Sequence, residues 1–152
     1  MKRKDGRRLV KVPHAHKAAE VLWKLMEEIE PGEAISHREM PTWEEHEAHV
    51  KRFPYRMWYL IESNEMFVGM VLLTRRNEIG VRVFKAFRRQ GHARWAVQEI
   101  VRMWSKLVRE SGVPGKQRAG FLANINPANE ASKALFASMG FSHVQDTYAL
   151  DP

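Results

Sequence analysis

The stretch from Val83 to Ala93, VFKAFRRQGHA, joins a run of β-branched residues to a long segment with the periodicity of a helix. A helix that begins directly after such a loop leaves its first backbone amides without intrahelical partners. These amides carry the positive end of the helix dipole and bind anions readily. Gly91 and Ala93 are small, so a ligand can approach the backbone closely. The stretch therefore predicts an anion-binding loop between a strand and a helix.

The same residues also fit a plain strand–loop–helix connection with a solvated basic face. One glycine within a basic loop is a weak signal, and charged residues mostly lie on solvated surfaces. The anion site is favoured by the cations around Gly91, namely Lys85, Arg88, Arg89 and Arg94. Local composition alone leaves both interpretations open.

A long helix is predicted from His92 to Glu110, because apolar residues recur there on one helical face. These residues are Ala93, Ala96, Val97, Ile100, Val101, Trp104, Leu107 and Val108. Upstream, turn residues separate three short apolar runs, Met57–Glu62, Phe67–Thr74 and Glu78–Phe84. Short turns between such runs favour an antiparallel meander of three strands.

The N-terminal part of the chain supplies one strand and two helices. Arg8–Val12 reads as a short strand. A helix is predicted after it, because apolar residues recur at helical spacing at Ala18, Leu22, Leu25 and Ile29. A second helix begins at Thr42, because Thr42 and Glu45 have the form of a capping box.

The C-terminal part supplies a strand at Ala119–Ile125 and a helix at Asn129–Met139, with Gly140 just past the helix end. The last residues read as one or two more strands. The predicted order is therefore β-α-α-β-β-β-α-β-α-β in one domain that covers residues 1–152. The fold class is α+β, with a mostly antiparallel sheet and parallel strands only on either side of the long helix.

The composition excludes several functional classes. The chain has 152 residues and no cysteine, so it holds no disulfide framework, thiolate metal site or cysteine nucleophile. No run approaches the roughly 20 apolar residues of a membrane span. The basic N-terminus lacks the apolar core of a secretory signal, so we expect a cytoplasmic protein.

The net charge of +7 is unevenly distributed along the chain. Residues 1–50 hold 9 Lys and Arg against 10 Asp and Glu, whereas residues 51–152 hold 16 against 8. The basic excess therefore belongs to the part that contains the predicted anion loop. An anionic partner is expected, either a cofactor that bears phosphates or a nucleic acid.

The loop sequence from Arg88 to Ala93, RRQGHA, resembles the (Arg/Gln)-x-x-Gly-x-(Gly/Ala) motif of the GNAT acetyltransferase superfamily. An apolar residue at Val83 and an aromatic one at Phe87 also match. The chain departs from the family at Lys85, where proline is common. The resemblance implies that the loop amides bind the pyrophosphate of coenzyme A.

A second motif follows at the expected distance. Residues 123–132, ANINPANEAS, lead to Gly140-Phe141 and resemble the A-x-V-x-P-x-N-x-x-S…L-G-F pattern of one GNAT branch. That branch acetylates the N-termini of ribosomal proteins and some sugar nucleotides. The resemblance implies a twisted sheet of 6–7 strands flanked by about four helices, with a splayed strand pair that binds acetyl-CoA.

The resemblance also implies which residues hold the cofactor, and no metal is expected. Backbone amides near Val81 and Val83 would hold the pantetheine arm and polarise the acetyl oxygen. Asn129 is also a favoured helix N-cap residue, a role compatible with cofactor contact. The full implied set is Val81, Val83, Arg88, Arg89, Gln90, Gly91, His92, Ala93, Arg94, Asn129, Ser132 and Phe136.

The catalytic residues are less well marked. Many relatives have a tyrosine acid at the position of Phe136, which cannot donate a proton, so Ser132 is the candidate acid and water is the alternative. Glu78 is the first candidate base, although a solvated residue at a strand end would look the same. His37, in the loop before Thr42, is the second candidate and an expected acceptor contact.

We therefore expect direct transfer of an acetyl group from acetyl-CoA to a primary amine. The acceptor is a small molecule, a sugar nucleotide or a protein amine, and the protein is a monomer or a homodimer that does not bind a membrane. Two alternatives remain. The basic C-terminal half could bind or modify nucleic acid, or the fold could bind coenzyme A without turnover.

Overall fold

The computed structural model describes residues 5–34, 39–112 and 120–150. Within these ranges the chain forms four strands and four α-helices, which confirms the predicted mixed α and β class. In chain order they are β1 (Arg7–Lys11), α1 (Ala18–Glu27), α2 (Trp43–Arg52), β2 (Met57–Ser63), β3 (Met66–Leu73), β4 (Ile79–Val83), α3 (His92–Glu110) and α4 (Glu130–Ser138).

The strands form an antiparallel sheet in the order β1-β2-β3-β4, so the predicted meander is confirmed. The turn between β2 and β3 is tight because Asn64 and Glu65 both adopt positive φ values, 48° and 67°. Two such residues in succession match the right-handed twist of a hairpin. In the register of the sheet, Tyr59 lies opposite Val71, which lies opposite Val81.

Side chains alternate between the two faces of the sheet, and each face carries its own apolar core. On one face α3 packs against the sheet, with Ile61, Val71 and Ile100 at 0% exposure. On the other face α1 covers Leu60 and Trp58. The helices are held by these buried stripes, because a surface helix must bury its apolar face.

Two of the predicted helix caps are present. The Thr42 hydroxyl accepts a hydrogen bond from the Glu45 amide at 3.2 Å, and the Asn129 side chain accepts one from the Ser132 amide at 3.1 Å. By contrast, α3 begins after Gly91, at φ 81°, with no side-chain cap. The first amides of α3 are therefore open to a ligand.

The prediction of 6–7 strands is wrong for the described residues, where four strands pair. The segment 120–126 makes only one parallel bridge, between Leu122 and Glu78. Residues 141–150 form no strand, and Tyr148 and Leu150 are 91% and 95% exposed. A β-like sequence becomes a strand only where a neighbouring backbone pairs with it. Ala119, the predicted start of the fifth strand, lies outside the described residues.

Candidate functional site

A gap opens between β4 and the segment 122–126. At its narrow end the Ile79 amide donates to the Leu122 carbonyl at 2.7 Å, and the Leu122 amide donates to the Asn77 carbonyl at 2.9 Å. Past Ile79, no further backbone hydrogen bond joins the two segments within the described part of the chain. The two segments therefore pair at one end only, and the unpaired stretch beyond Ile79 is what we call the gap.

The free edge of β4 faces this gap. The Phe84 amide donates to the Val68 carbonyl of β3, and the Glu78 carbonyl accepts from the amide of Thr74, just past β3. The Ile79 amide instead donates to the Leu122 carbonyl on the other side. Backbone groups of a strand alternate between its two edges, so Val81 and Val83 present their amides on the same side as Ile79. Both amides lie where the family resemblance implied a contact with pantetheine.

The anion loop lies at the open end of the gap. It continues from Val83 through a turn of 3-10 helix at Lys85–Phe87 into α3. Arg89 and Gly91 both adopt left-handed backbone conformations, at φ 61° and 81°. Arg88, Arg89, Gln90 and Gly91 are exposed, so the loop backbone is accessible. The structure thus brings the loop together with the free edge of β4.

Carboxylates from the segment after α1 already bind two of the loop cations. Glu33 accepts from Arg88 at 3.2 Å and from Arg82 at 3.4 Å. Glu30 pairs with Lys85, whose ammonium group lowers the pKa of that carboxyl. These contacts fasten residues 28–34 to the loop and partly neutralise its charge.

The remaining loop arginines have different roles. Arg94 donates to the Ser138 hydroxyl and so joins α3 to α4. Arg89 is exposed and has no carboxylate partner among the residues that the structure describes. Of the predicted phosphate contacts, Arg89 is thus the loop arginine with its charge most available.

His92 is the buried member of the loop, with 5% of its surface exposed. Its Nε2 lies 3.3 Å from Oε1 of Gln90. Its Nδ1 is buried and has no hydrogen-bond partner within residues 5–34, 39–112 and 120–150. Burial, and secondarily the nearby charge of Arg7, lower the pKa of the imidazole below 6.5.

The lowered pKa of His92 predicts an acid-sensitive fold. Below pH 6.5 the unfolded chain binds a proton that the folded chain resists, so stability present above that value is lost as pH falls. We expect His92→Gln to reduce the fall in the free energy of unfolding between pH 7.5 and 5, measured by urea unfolding at each pH. His16→Gln, at an exposed position, is the control and should keep the wild-type slope. If His92→Gln kept the wild-type dependence on pH, other titrating groups would be responsible for the loss of stability in acid.

Glu78 lies at the narrow end of the gap. Its carboxylate accepts hydrogen bonds from the Thr74 hydroxyl at 3.4 Å and from the Asn124 side-chain amide. Its backbone amide donates to the same hydroxyl at 3.0 Å. The carboxylate therefore spans from β4 to the facing segment. It is half-buried and held in one orientation, as a proton acceptor in a cleft requires.

A family model described as "Acetyltransferase (GNAT) domain" matches residues 7–142. The chain belongs to the GNAT family. The match covers both motifs and every described element, so the superfamily predicted from the loop and from residues 123–141 is confirmed. No curated protein sequence matches the chain, and the finer branch therefore stays a prediction.

Solved structures show the same GNAT fold. Aminoglycoside N-acetyltransferase AAC(6′)-Iy, solved with a bisubstrate analogue, is 15% identical, with a TM-score of 0.66 and 96% of each chain covered. An N-acetyltransferase from Staphylococcus aureus Mu50 is 18% identical, with a TM-score of 0.63 and 91% and 84% covered. YncA from Salmonella typhimurium, solved with its cofactor acetyl-CoA, is 20% identical, with a TM-score of 0.53 and 90% and 78% covered. At such identities these likenesses concern the fold.

The predicted residues of α4 have mainly structural contacts in this GNAT domain. Asn129 caps the helix through the Ser132 amide. Phe136 is buried at 5% exposure and meets Phe141 edge to face, with ring centroids 5.0 Å apart. Ser132 is half-buried, and its hydroxyl makes no hydrogen bond to Glu78 in the described chain. The structure does not join the candidate acid to the candidate base.

Three residues that contact the GNAT loop or gap carry no signal in the sequence. They are Arg7, Glu33 and Asn124, which lie 84, 55 and 46 positions from their partners in the chain. His37, the second candidate base, lies outside the described residues. Among those described, no cluster of three His, Cys, Asp or Glu side chains forms a metal site, and no helix is long and apolar enough to cross a membrane.

Proposed function

We propose that this GNAT domain transfers the acetyl group of acetyl-CoA to a primary amine, with both reactants bound at the gap beside β4. One observation carries the proposal: the free amide edge of Val81 and Val83 runs directly into the uncapped N-terminus of α3. A pantetheine amide and a pyrophosphate need these two kinds of donor in this order. Family membership and the cofactor of YncA support acetyl-CoA as the donor.

The residues of the gap fit this cofactor. Amides from Arg89 to Arg94 would hold the pyrophosphate, because helix N-termini bind phosphate without side-chain help. The Arg88 amide already donates to the Lys85 carbonyl. Arg89 supplies an available charge beside the loop amides. Val81 and Val83 would hold the pantetheine arm as a short added strand does.

The chemistry then falls to three groups of the chain. When bound, acetyl-CoA would supply a thioester carbon that bonds to the amine nitrogen, while the bond between that carbon and the sulfur breaks and the sulfur departs with coenzyme A. Glu78 takes the proton of the amine, directly or through water, which contributes roughly 10²–10⁴-fold. The amide edge of β4 stabilises developing negative charge on the acetyl oxygen. The Ser132 hydroxyl is the candidate donor to the departing sulfur, since Phe136 has no proton to give.

A cationic small molecule is the acceptor class that we favour. The fold neighbours include aminoglycoside N-acetyltransferases, whose substrates carry several amines. The α1 and α2 surface carries exposed Glu27, Glu44 and Glu45, which attract such cations. Because residues 123–141 resemble the motif of one GNAT branch, two further acceptors remain open, a ribosomal-protein N-terminus and a sugar-nucleotide amine.

The test is a panel of amines assayed for release of the free thiol of coenzyme A. The chain has no cysteine, so a thiol reagent gives no background from the protein. The panel holds aminoglycosides, polyamines, an amino-sugar nucleotide, and peptides with a free N-terminus or a lysine. We expect a small cationic amine to raise thiol release at least about tenfold over the amine-free rate. Acceleration by peptides alone would overturn the acceptor class, and none at all would favour binding without turnover.

A further inference from the structure

Arg7 of β1 contacts the backbone of the anion loop through its guanidinium. Its Nη2 donates to the Gln90 carbonyl at 3.0 Å, and its Nη1 donates to the Gly91 carbonyl at 3.5 Å. The guanidinium is mostly buried between β1 and the loop, with Asp5 at 3.7 Å from its Nε. The guanidinium of Arg7 therefore binds two successive backbone carbonyls of the anion loop.

Holding these carbonyls also sets the direction of the amides. In a trans peptide unit the C=O and the following N–H point in opposite directions. A guanidinium that binds the carbonyls of Gln90 and Gly91 thus turns the amides of Gly91 and His92 to the other side of the loop. Those two amides begin α3, where side-chain capping is absent.

We propose that Arg7 is a positioning residue for cofactor binding, which fixes the peptide planes of the loop so that the Gly91 and His92 amides face the pyrophosphate. The inference rests on the proposed function, since it assumes that the loop binds phosphate. Arg7 acts through the loop backbone and lies on the side of the loop opposite to the anion.

The loop needs such support because its backbone is unfavourable by itself. Arg89 has φ 61°, a left-handed conformation that a side chain with a Cβ rarely adopts. Two adjacent carbonyls that face the same side have nearly parallel dipoles, and a cation beside both oxygens stabilises that arrangement. Arg7 supplies that cation before any ligand arrives, and a preformed site loses less entropy on binding.

The fork of the guanidinium is essential to this role. Arginine presents several donors in one plane and can serve two acceptors at fixed spacing, whereas lysine presents a single flexible charge. Arg7→Lys therefore keeps the charge near the loop and loses the geometry. The comparison of Arg7→Lys with Arg7→Met separates orientation from simple attraction.

The experiment measures binding of coenzyme A and of acetyl-pantetheine, which lacks the pyrophosphate, to wild type, Arg7→Met and Arg7→Lys. We expect Arg7→Met to weaken coenzyme A binding roughly 10- to 100-fold, and Arg7→Lys to fall nearer Arg7→Met than wild type. Binding of acetyl-pantetheine should not change. Arg8→Met is the control, because the neighbouring arginine on β1 pairs with Glu62 and not with the loop.

Three results would overturn the inference: wild-type binding of coenzyme A by Arg7→Met, wild-type binding by Arg7→Lys, or equal weakening of both ligands. Hydrogen exchange in the ligand-free proteins adds a readout that needs no cofactor. The Trp95 amide donates to the Gly91 carbonyl at 3.1 Å, and its exchange should rise at least about tenfold in Arg7→Met and not in Arg8→Met. If wild type bound no coenzyme A, the proposed function would fail, while the exchange comparison would still decide the role of Arg7.

Discussion

Replacing Gly91 with glutamate is expected to weaken acetyl-CoA binding by at least about a hundredfold, or about 2.7 kcal/mol. Gly91 adopts φ 81°, where a residue with a Cβ is strained by roughly 1–2 kcal/mol. The new side chain would begin 3.7 Å from the Arg7 guanidinium and bring a negative charge to the helix N-terminus. That carboxylate would draw the Arg7 guanidinium away from the Gln90 and Gly91 carbonyls and would lower the positive charge at the helix N-terminus, and these two effects supply the rest of the loss.

Gly112→Glu is a matched control for this change. Gly112 also has a positive φ, 66°, and a Cβ there meets nothing within 4 Å. It lies just past the C-terminus of α3, so it adds the same charge and comparable strain at the other end of the same helix. Calorimetric titration of both variants with acetyl-CoA makes the comparison. Equal affinity of the two variants for acetyl-CoA would show that the loop does not bind the cofactor.

Glu78→Gln is expected to lower kcat by roughly 10²–10⁴-fold with the best amine of the panel, and to leave acetyl-CoA affinity unchanged. Glutamine keeps the shape of the side chain and one of its two acceptor oxygens, so it can accept from Thr74 or from Asn124, and it loses the ability to take a proton. The remaining activity should rise with pH until the amine itself is neutral, because the variant depends on amine that has already lost its proton. Wild type should reach its plateau at lower pH.

Steady-state rates between pH 6 and 10 test this expectation, with Glu110→Gln as the control. Glu110 is exposed in the last turn of α3, at the opposite end of that helix from the loop, and its variant should match wild type. A Glu78→Gln enzyme with wild-type kcat but a lower melting temperature would assign Glu78 to structure alone. In that case its bonds would serve only to close the narrow end of the gap.

Much of the local structure was predictable because its causes are local. The bounds of α3, His92 to Glu110, match the prediction, since an amphipathic stripe over five turns has few other solutions. The caps at Thr42 and Asn129 follow from hydrogen bonds within three residues. The connection from β4 to α3 was also predictable, because glycine and cations between a strand and a helix are a local pattern.

The edge of the sheet was not predictable in the same way. Residues 120–126 and 141–150 have strand-like sequences, but pairing depends on a partner backbone that the pattern does not contain. Leu122 pairs once and then diverges, and Tyr148 stays exposed. Because backbone pairing with β4 ends early, the gap stays unpaired. The early end of pairing therefore both lowers the number of strands and leaves the candidate site open.

The environment of the site likewise depends on distant residues. Arg88 was expected to face phosphate, yet its guanidinium binds Glu33, 55 positions away. Nothing near Arg88 in the sequence marks that carboxylate. Arg7 is a similar case, since an arginine just before the predicted strand Arg8–Val12 looks like a solvated residue until the fold brings it close to Gly91.

The central claim is that the gap and loop bind acetyl-CoA, and thermal unfolding with and without the cofactor tests it most directly. A ligand at 100 times its dissociation constant adds about 2.7 kcal/mol to the free energy of unfolding. For a domain of this size the melting temperature should rise by roughly 5–10 °C. A rise of that size in wild type and in Gly112→Glu, and its absence in Gly91→Glu, is the result that we predict. No shift in wild type at millimolar acetyl-CoA would contradict the account.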